Sequence, residues 1–282
     1  MPIVVSPVLS ARNNTIGGDF SARSLPLERS GIRNSPVLVV DDFRVSGQPF
    51  GPHPHAGFAA VTYVFEDSKA DLRSRDSLGN DVVVGPGGIV WTQAGSGVLH
   101  EELPAPMGRE LHGLQVFVNV RSNNKLAAPR VLKLESPEVP EWRHKSDRVR
   151  VVVGTYADVS SPLVPDEPFD LFEVEIARTL SLSLKPAHTA VVYVREGEAI
   201  VVVGAREQKL AEGRAVILHG GDGEFVLRTD RFARIVVLAG ANIDEPVYAH
   251  GPFIMNDRLQ VDAAIARYRS GAMGHLAPAY MT

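Results

Sequence analysis

Two short motifs each carry a pair of metal-binding side chains in an i, i+2 relation. His53 and His55 enclose a proline, and His100 and Glu102 enclose Glu101. On a β-strand, residues i and i+2 point to the same face, so each pair can aim into one cavity. Three imidazoles and one carboxylate suit iron, manganese, nickel, copper, cobalt or zinc as divalent ions. The spacing therefore predicts a metal centre where the two strands lie side by side, with Glu101 facing away from it.

The composition restricts the rest of the chemistry. The chain has 282 residues, 44% of them hydrophobic, no cysteine and a formal net charge of −4. The lack of cysteine excludes thiolate ligands and disulfides. The negative net charge gives no basic surface that would indicate direct binding of nucleic acid. The N-terminus lacks the pattern of a signal peptide, and the apolar runs fall short of the roughly 20 residues that a membrane span needs. We expect a cytoplasmic protein and, as a working hypothesis, a monomer.

Short runs rich in Val, Ile, Leu and Phe, separated by Gly and Pro, predict an all-β protein. Lys125–Lys145, which is rich in proline and charge, is the predicted linker. Apolar residues at helical spacing near the C-terminus predict one helix, with Asn256 as its N-cap and Gly271 at its end. The predicted strands are Pro36–Phe43, Ala60–Phe65, Asp81–Val84, Ile89–Gln93, Gly113–Val120, Arg148–Val153, Phe169–Ile176, Ala190–Val194, Ala199–Val203, Ala215–Leu218, Glu224–Leu227 and Ile235–Leu238.

A weak internal repeat predicts two copies of one barrel, in domains 1–135 and 136–282. Val61-Thr62-Tyr63-Val64 is similar to Val191-Val192-Tyr193-Val194. In this alignment the four candidate ligands correspond to residues that do not bind metals, so the second copy is expected to be metal-free. These residues are Ser183, Lys185, Val226 and Arg228.

An ordered set of motifs resembles the pirin family of the cupin superfamily. The motifs are His53-Pro54-His55-Ala56-Gly57-Phe58, Asp76-Ser77-Leu78-Gly79-Asn80, Trp91 to Glu102, Gly113 to Asn119 and His250 to Asn256. The resemblance implies a bicupin, that is, two antiparallel jelly-roll β-barrels with a short C-terminal helix. It also implies a metal in the N-terminal barrel, usually iron(II), held by His53, His55, His100 and Glu102.

The leading functional hypothesis is a metal-dependent dioxygenase. The resemblance implies ring cleavage of a flavonol such as quercetin by dioxygen, with Glu102 as ligand or as the base that accepts the hydroxyl proton. Family members usually carry Arg and Glu where this chain has Ala56 and Ala59. These two departures can change the groups that support the metal ligands.

Two alternatives stay open at this point. An iron-dependent, redox-responsive regulator would act through protein partners, and an isomerase or hydrolase would use the same metal as a Lewis acid. Among the other polar residues, His112 is predicted to be a hydrogen-bonded structural histidine. Trp91, Phe58 and Phe117 are predicted to fill the core or to line the pocket beside the metal.

Overall fold

The computed structural model describes residues 2–280, which form antiparallel β-sheets followed by one twelve-residue helix within that range. The first strands are β1 (Ile3–Val5), β2 (Leu9–Ser10), β3 (Arg12–Ile16), β4 (Phe20–Ser24), β5 (Val37–Val45), β6 (His53–His55), β7 (Phe58–Val64), β8 (Asp71–Asp76), β9 (Asp81–Val84), β10 (Ile89–Gln93), β11 (Val98–Ala105), β12 (Leu111–Asn119) and β13 (Arg130–Leu134).

The later elements are β14 (Glu141–His144), β15 (Asp147–Val153), β16 (Thr155–Tyr156), β17 (Val159–Ser160), β18 (Phe169–Ile176), β19 (Thr179–Leu184), β20 (His188–Val203), β21 (Arg206–Ala211), β22 (Arg214–Gly220), β23 (Gly223–Arg228), β24 (Ala233–Ala241), β25 (Tyr248–His250), β26 (Phe253–Met255) and α1 (Arg258–Arg269). Short 3₁₀ turns cover Leu27–Arg29 and Ser136–Glu138. In residues 2–280 no helix combines the length and the apolar character that crossing a bilayer requires.

The chain divides into two compact units that are not contiguous in sequence. One unit contains residues 1–12, 23–39 and 137–242, and the other contains residues 13–22, 40–136 and 243–282. This differs from the predicted contiguous division, because each end of the chain packs with the other half of the sequence. At the N-terminal end, β1 and β2 both pair with β22. At the C-terminal end, Phe253 forms a β-bridge with Ala56.

The first unit is built on a large sheet with the order β1-β22-β20-β24-β18-β15-β14. Its core consists mainly of aliphatic residues, together with Phe172 and Phe225. Strand β19 shows the alternation of exposed and buried positions that a strand with one buried face requires. The predicted strands Ala190–Val194 and Ala199–Val203 are one continuous strand, β20, with an irregular register between Val194 and Glu196.

The second unit contains two sheets that position the candidate ligands. Most of a seven-stranded sheet, β13-β10-β7-β12-β5-β4-β3, lies in it, together with the four-stranded sheet β6-β11-β8-β9. All residues of β7 are buried, whereas β8 alternates. The core between these strands includes Phe43, Val64, Leu72, Val90 and Leu111.

Two predictions about local structure are wrong. The linker prediction for Lys125–Lys145 fails because this segment contains β13 and β14, and because Lys125 is only 1% exposed. The N-cap of α1 is Asp257, whose Oδ1 accepts a hydrogen bond from the Gln260 amide at 2.8 Å. Asn256, the predicted cap, instead donates through Nδ2 to the Pro246 carbonyl.

Helix α1 closes a small apolar cluster of the second unit. Val261 and Ala264 are buried in that cluster, which also contains Ala56 and Leu99 from the region of the candidate site. Gly271 lies just beyond the helix with a φ of +77°, a conformation that favours glycine at a helix end. The helix therefore packs against residues that lie next to the predicted ligands in sequence, Ala56 beside His55 and Leu99 beside His100.

Candidate metal centre

The strands β6 and β11 bring the two predicted ligand pairs together. They pair antiparallel, with His53 directly opposite His100 and His55 opposite Val98. One ring nitrogen from each of His53, His55 and His100 lies within 4.8 Å of the other two. The Nε2 atoms of His53 and His100 are 3.1 Å apart. The three imidazoles therefore form the cluster that the i, i+2 spacing predicts.

Burial keeps these imidazoles in their neutral form. Burial lowers the pKa of His55 to about 3, with a further lowering from His53. Burial likewise lowers the pKa of His100 and, despite a hydrogen bond to the Gly51 carbonyl, that of His53. Neutral imidazole is the form that ligates metal ions. The donor set thus fits a divalent transition metal, which would also offset the cost of burying three polar rings together.

Glu102 lines the same cavity but is not part of the 4.8 Å histidine cluster. Its Oε2 accepts a hydrogen bond from the Thr62 hydroxyl at 2.7 Å. Burial raises the pKa of Glu102 to about 7, and the hydrogen bond from Thr62 opposes that rise. The position of Glu102 as a metal ligand stays a prediction.

Glu101 faces away from the cavity, as the strand alternation predicts. The register of β11 against β8 is continuous from His100 to Ala105, so no bulge turns Glu101 inward. Its side chain is fully buried and accepts hydrogen bonds from Gln48, Arg75 and the Ala279 amide. Glu101 is therefore bound to structural donors outside the cavity.

The cavity beside the histidines has a volume of about 320 Å³ and mostly apolar walls. Phe117 is one of these walls, with its ring centroid 5.5 Å from that of His55, while Phe58 packs beneath both. Trp91 is buried in the core and does not line the cavity. The apolar lining residues are Phe20, Phe43, Val45, Pro49, Phe50, Leu72, Leu111 and Phe117; the polar ones are Asp41, His53, His55, His100, Glu102 and Gln115.

Sequence reasoning missed Thr62 and Gln115. They face each other across β7 and β12, and the Thr62 hydroxyl lies 3.2 Å from Gln115 Oε1. The available signal was a polar residue at a buried position of an otherwise apolar strand. Ala56 and Ala59 are the two positions where this chain differs from the usual family residues. Both are fully buried, and neither lines the cavity.

The comparisons with known proteins agree with this fold. The family model for pirin matches residues 30–118, and that for the pirin C-terminal cupin domain matches residues 171–274. The chain belongs to the pirin family. Human pirin is 30% identical over 252 residues, which are 87% of this chain and 86% of the human protein.

Two bacterial relatives carry enzyme names. A Pseudomonas aeruginosa protein named "Putative quercetin 2,3-dioxygenase" is 32% identical over 254 residues, 86% of this chain and 87% of that protein. The crystal structure of quercetin 2,3-dioxygenase from Acinetobacter baumannii has a TM-score of 0.86 and 25% identity. That match covers 98% of this chain and 100% of the other. The all-β pirin fold of this chain, with its short C-terminal helix, is thereby confirmed.

The second copy of the repeat has a different environment at the aligned positions. Ser183 and Lys185 are exposed. Arg228 forms an ion pair with Glu207 at 3.0 Å. The expectation that this copy holds no metal stays a prediction.

Proposed function

We propose that this pirin-family protein is a metal-dependent dioxygenase that cleaves flavonols such as quercetin. The observation that carries the proposal is the position of three neutral histidines in the wall of a 320 Å³ cavity whose other walls are mainly apolar and aromatic. The names of the Pseudomonas and Acinetobacter relatives support the same reaction class. Geometry and similarity thus favour one chemistry.

The cavity matches the chemical character of a flavonol. Such a substrate is flat and aromatic, with a hydroxyl and a carbonyl oxygen on adjacent ring carbons. Phe43, Phe50 and Phe117 offer apolar surface for the rings, while the polar groups are concentrated at the histidine side. Pockets that combine broad apolar walls with a few convergent polar groups are typical of small-molecule sites. The apolar walls would also exclude water from the reacting oxygens.

The protein groups have distinct roles in this proposal. His53, His55 and His100 would hold the metal ion, with Glu102 as the fourth protein ligand. When bound, the ion supplies Lewis-acid and redox chemistry toward the flavonol and dioxygen. The Glu102 carboxylate would also be the base that accepts the flavonol hydroxyl proton.

Iron(II) is the metal that we propose. Imidazole nitrogens and a carboxylate oxygen are ligands of mononuclear iron in oxygenases. Manganese, nickel, copper, cobalt and zinc are the alternatives that the same donors accept. Metal analysis of the purified protein, followed by reloading of the apoprotein with each ion, identifies the one that supports turnover.

The test uses His55→Ala and Glu102→Ala, with His144→Ala as the matched control at an exposed position of β14. Both site variants should lower the rate of aerobic quercetin loss at least about 100-fold, since each removes a group required for the reaction. Their circular dichroism spectra should match the parent, and His144→Ala should retain full activity. Undiminished quercetin loss by His55→Ala with no bound metal would contradict the proposal.

A metal-loaded protein that leaves quercetin intact under air would also count against dioxygenase activity. That result would favour the other class that the sequence left open, a redox-responsive regulator acting through a protein partner. Comparing the iron(II) and iron(III) forms in binding experiments would then be the next measurement.

A further inference from the structure

The hydroxyl of Thr62 lies between two acceptors. It is 2.7 Å from Glu102 Oε2 and 3.2 Å from Gln115 Oε1. Thr62 is 1% exposed and is held on both sides of β7, opposite Val90 on one neighbouring strand and opposite Gln115 on the other. Strand pairing on both sides therefore fixes the backbone position of Thr62 in the sheet.

The orientation of Gln115 is fixed as well. Its Nε2 donates a hydrogen bond to the Val61 carbonyl at 3.0 Å. This bond places the amide oxygen, an acceptor, on the side of Thr62. The Thr62 hydroxyl has one proton to donate, and the nearer of its two acceptors is Glu102 Oε2, at 2.7 Å against 3.2 Å for Gln115 Oε1.

The two oxygens of Glu102 are not equivalent. Oε2 is held by Thr62, whereas within residues 2–280 the structure gives Oε1 no hydrogen-bond partner. Glu102 keeps some solvent exposure and lines the cavity. A carboxylate fixed through one oxygen presents the other in a restricted orientation, which lowers the entropy lost when that oxygen acquires a ligand.

We propose that Thr62 is a positioning residue whose hydroxyl retains Oε2 of Glu102 and leaves Oε1 as the carboxylate oxygen available to the metal. This inference rests on the proposed metal centre. It extends that centre by one residue, Thr62 of β7. Hydrogen-bonding partners of metal ligands typically contribute about 10- to 100-fold to metal affinity, and we expect a contribution of this size from the Thr62 hydroxyl.

The experiment measures binding of cobalt(II) and nickel(II) to the apoprotein. Thr62→Val removes the hydroxyl and keeps the shape; it should weaken both affinities about 10- to 100-fold and change the d–d absorption of bound cobalt(II). Thr62→Ser keeps the hydroxyl and should stay close to the parent. Thr92→Val makes the same change at another buried threonine that does not line the cavity, and should have no effect.

A second comparison separates positioning from general damage to the fold. In a Glu102→Ala background, Thr62→Val should cause no further loss of metal affinity, because the carboxylate that it positions is gone. A further loss of the same size would overturn the inference. Equal or tighter metal binding by Thr62→Val in the parent background would overturn it too.

These outcomes are distinct from failure of the proposed function. Parent protein that binds cobalt(II) through the histidines and loses affinity in Thr62→Val, but cleaves no flavonol, would refute only the dioxygenase proposal. Full flavonol cleavage with unchanged metal affinity in Thr62→Val would refute only the positioning role.

Discussion

His112 lies between two aspartates in the second unit and is 2% exposed. Its Nε2 is 2.9 Å from Asp42 Oδ1, and its Nδ1 is 2.9 Å from Asp67 Oδ1. Both ring nitrogens thus face carboxylate acceptors, an arrangement that the imidazolium form satisfies. Burial lowers the pKa of His112, but the two hydrogen-bonded aspartates outweigh burial, and the pKa is raised overall. The sequence prediction of a hydrogen-bonded structural histidine agrees with this environment.

The raised pKa of His112 predicts a dependence of stability on pH. The folded-state pKa exceeds the unfolded value of about 6.5. Protonation of His112 therefore contributes stability that is fully present below that value and is lost as the pH rises through the folded-state pKa. The free energy of unfolding by urea, measured from pH 6 to 9, should fall more steeply for the parent than for His112→Gln. His144→Gln, at an exposed position, should follow the parent curve; equal slopes for the parent and His112→Gln would contradict the prediction.

Lys125 connects three elements around the candidate centre. Its Nζ lies 2.8 Å from the Gly57 carbonyl, 2.7 Å from Asn119 Oδ1 and 3.1 Å from the Ile254 carbonyl. These acceptors belong to the turn after β6, the end of β12 and β26. Burial lowers the pKa of Lys125 to about 8, so the side chain is still an ammonium at neutral pH. Its three N–H donors match the three acceptors.

Replacing Lys125 should loosen these elements together. Lys125→Met keeps most of the apolar stem but leaves the three acceptors without this donor. A loss of at least about 2 kcal/mol in unfolding free energy is expected, because buried polar groups without partners are costly. The control is Lys133→Met, whose exposed ion pair with Glu135 should contribute less than about 1 kcal/mol. Urea unfolding monitored by tryptophan fluorescence measures both, and equal effects of the two substitutions would contradict the assigned role.

At the scale of the elements, the strands that sequence could predict are those whose buried faces are apolar. Asp81–Val84, Ile89–Gln93 and Phe169–Ile176 were predicted with the observed bounds. Strand β8 escaped prediction because its buried face contains Ser74 and Asp76, which hides the alternation. The buried carboxylate of Asp76 accepts hydrogen bonds from the backbone amides of Leu78 and Asn80. These bonds allow a charged residue to be buried, and a hydrophobicity pattern cannot predict them.

Some residues of the candidate site are likewise predictable from the sequence, and others are not. The histidine cluster was predictable because i, i+2 spacing on a strand fixes the direction of side chains. Thr62 and Gln115 were not, since their relation to Glu102 depends on strand pairing between distant segments. The sequence predicts Lys125 in a linker because proline and charge usually indicate an exposed segment. Its burial depends on acceptors from residues 57, 119 and 254, which no local pattern reveals.

At the scale of the whole molecule, both ends of the chain belong to units built mainly from distant sequence. Residues 1–12 group with 137–242, and residues 243–282 group with 40–136. The N-terminal strand contributes Val5 to the core of the first unit. The C-terminal segment covers Ala56 and Leu99 in the second unit. No cut near position 135 leaves either unit with all of its segments.

This arrangement predicts the behaviour of the fragments 1–135 and 136–282. Fragment 1–135 lacks Ile254, an acceptor of Lys125, and lacks α1, so its apolar cluster around Leu99 would be exposed to water. Fragment 136–282 lacks β1 and β2, which leaves the edge of β22 unpaired. Neither fragment should unfold cooperatively in urea, and fragment 1–135 should bind nickel(II) more weakly than the full chain. A cooperative transition of fragment 1–135 at the midpoint of the intact protein, with undiminished nickel(II) affinity, would show that the C-terminal segment is dispensable for the site.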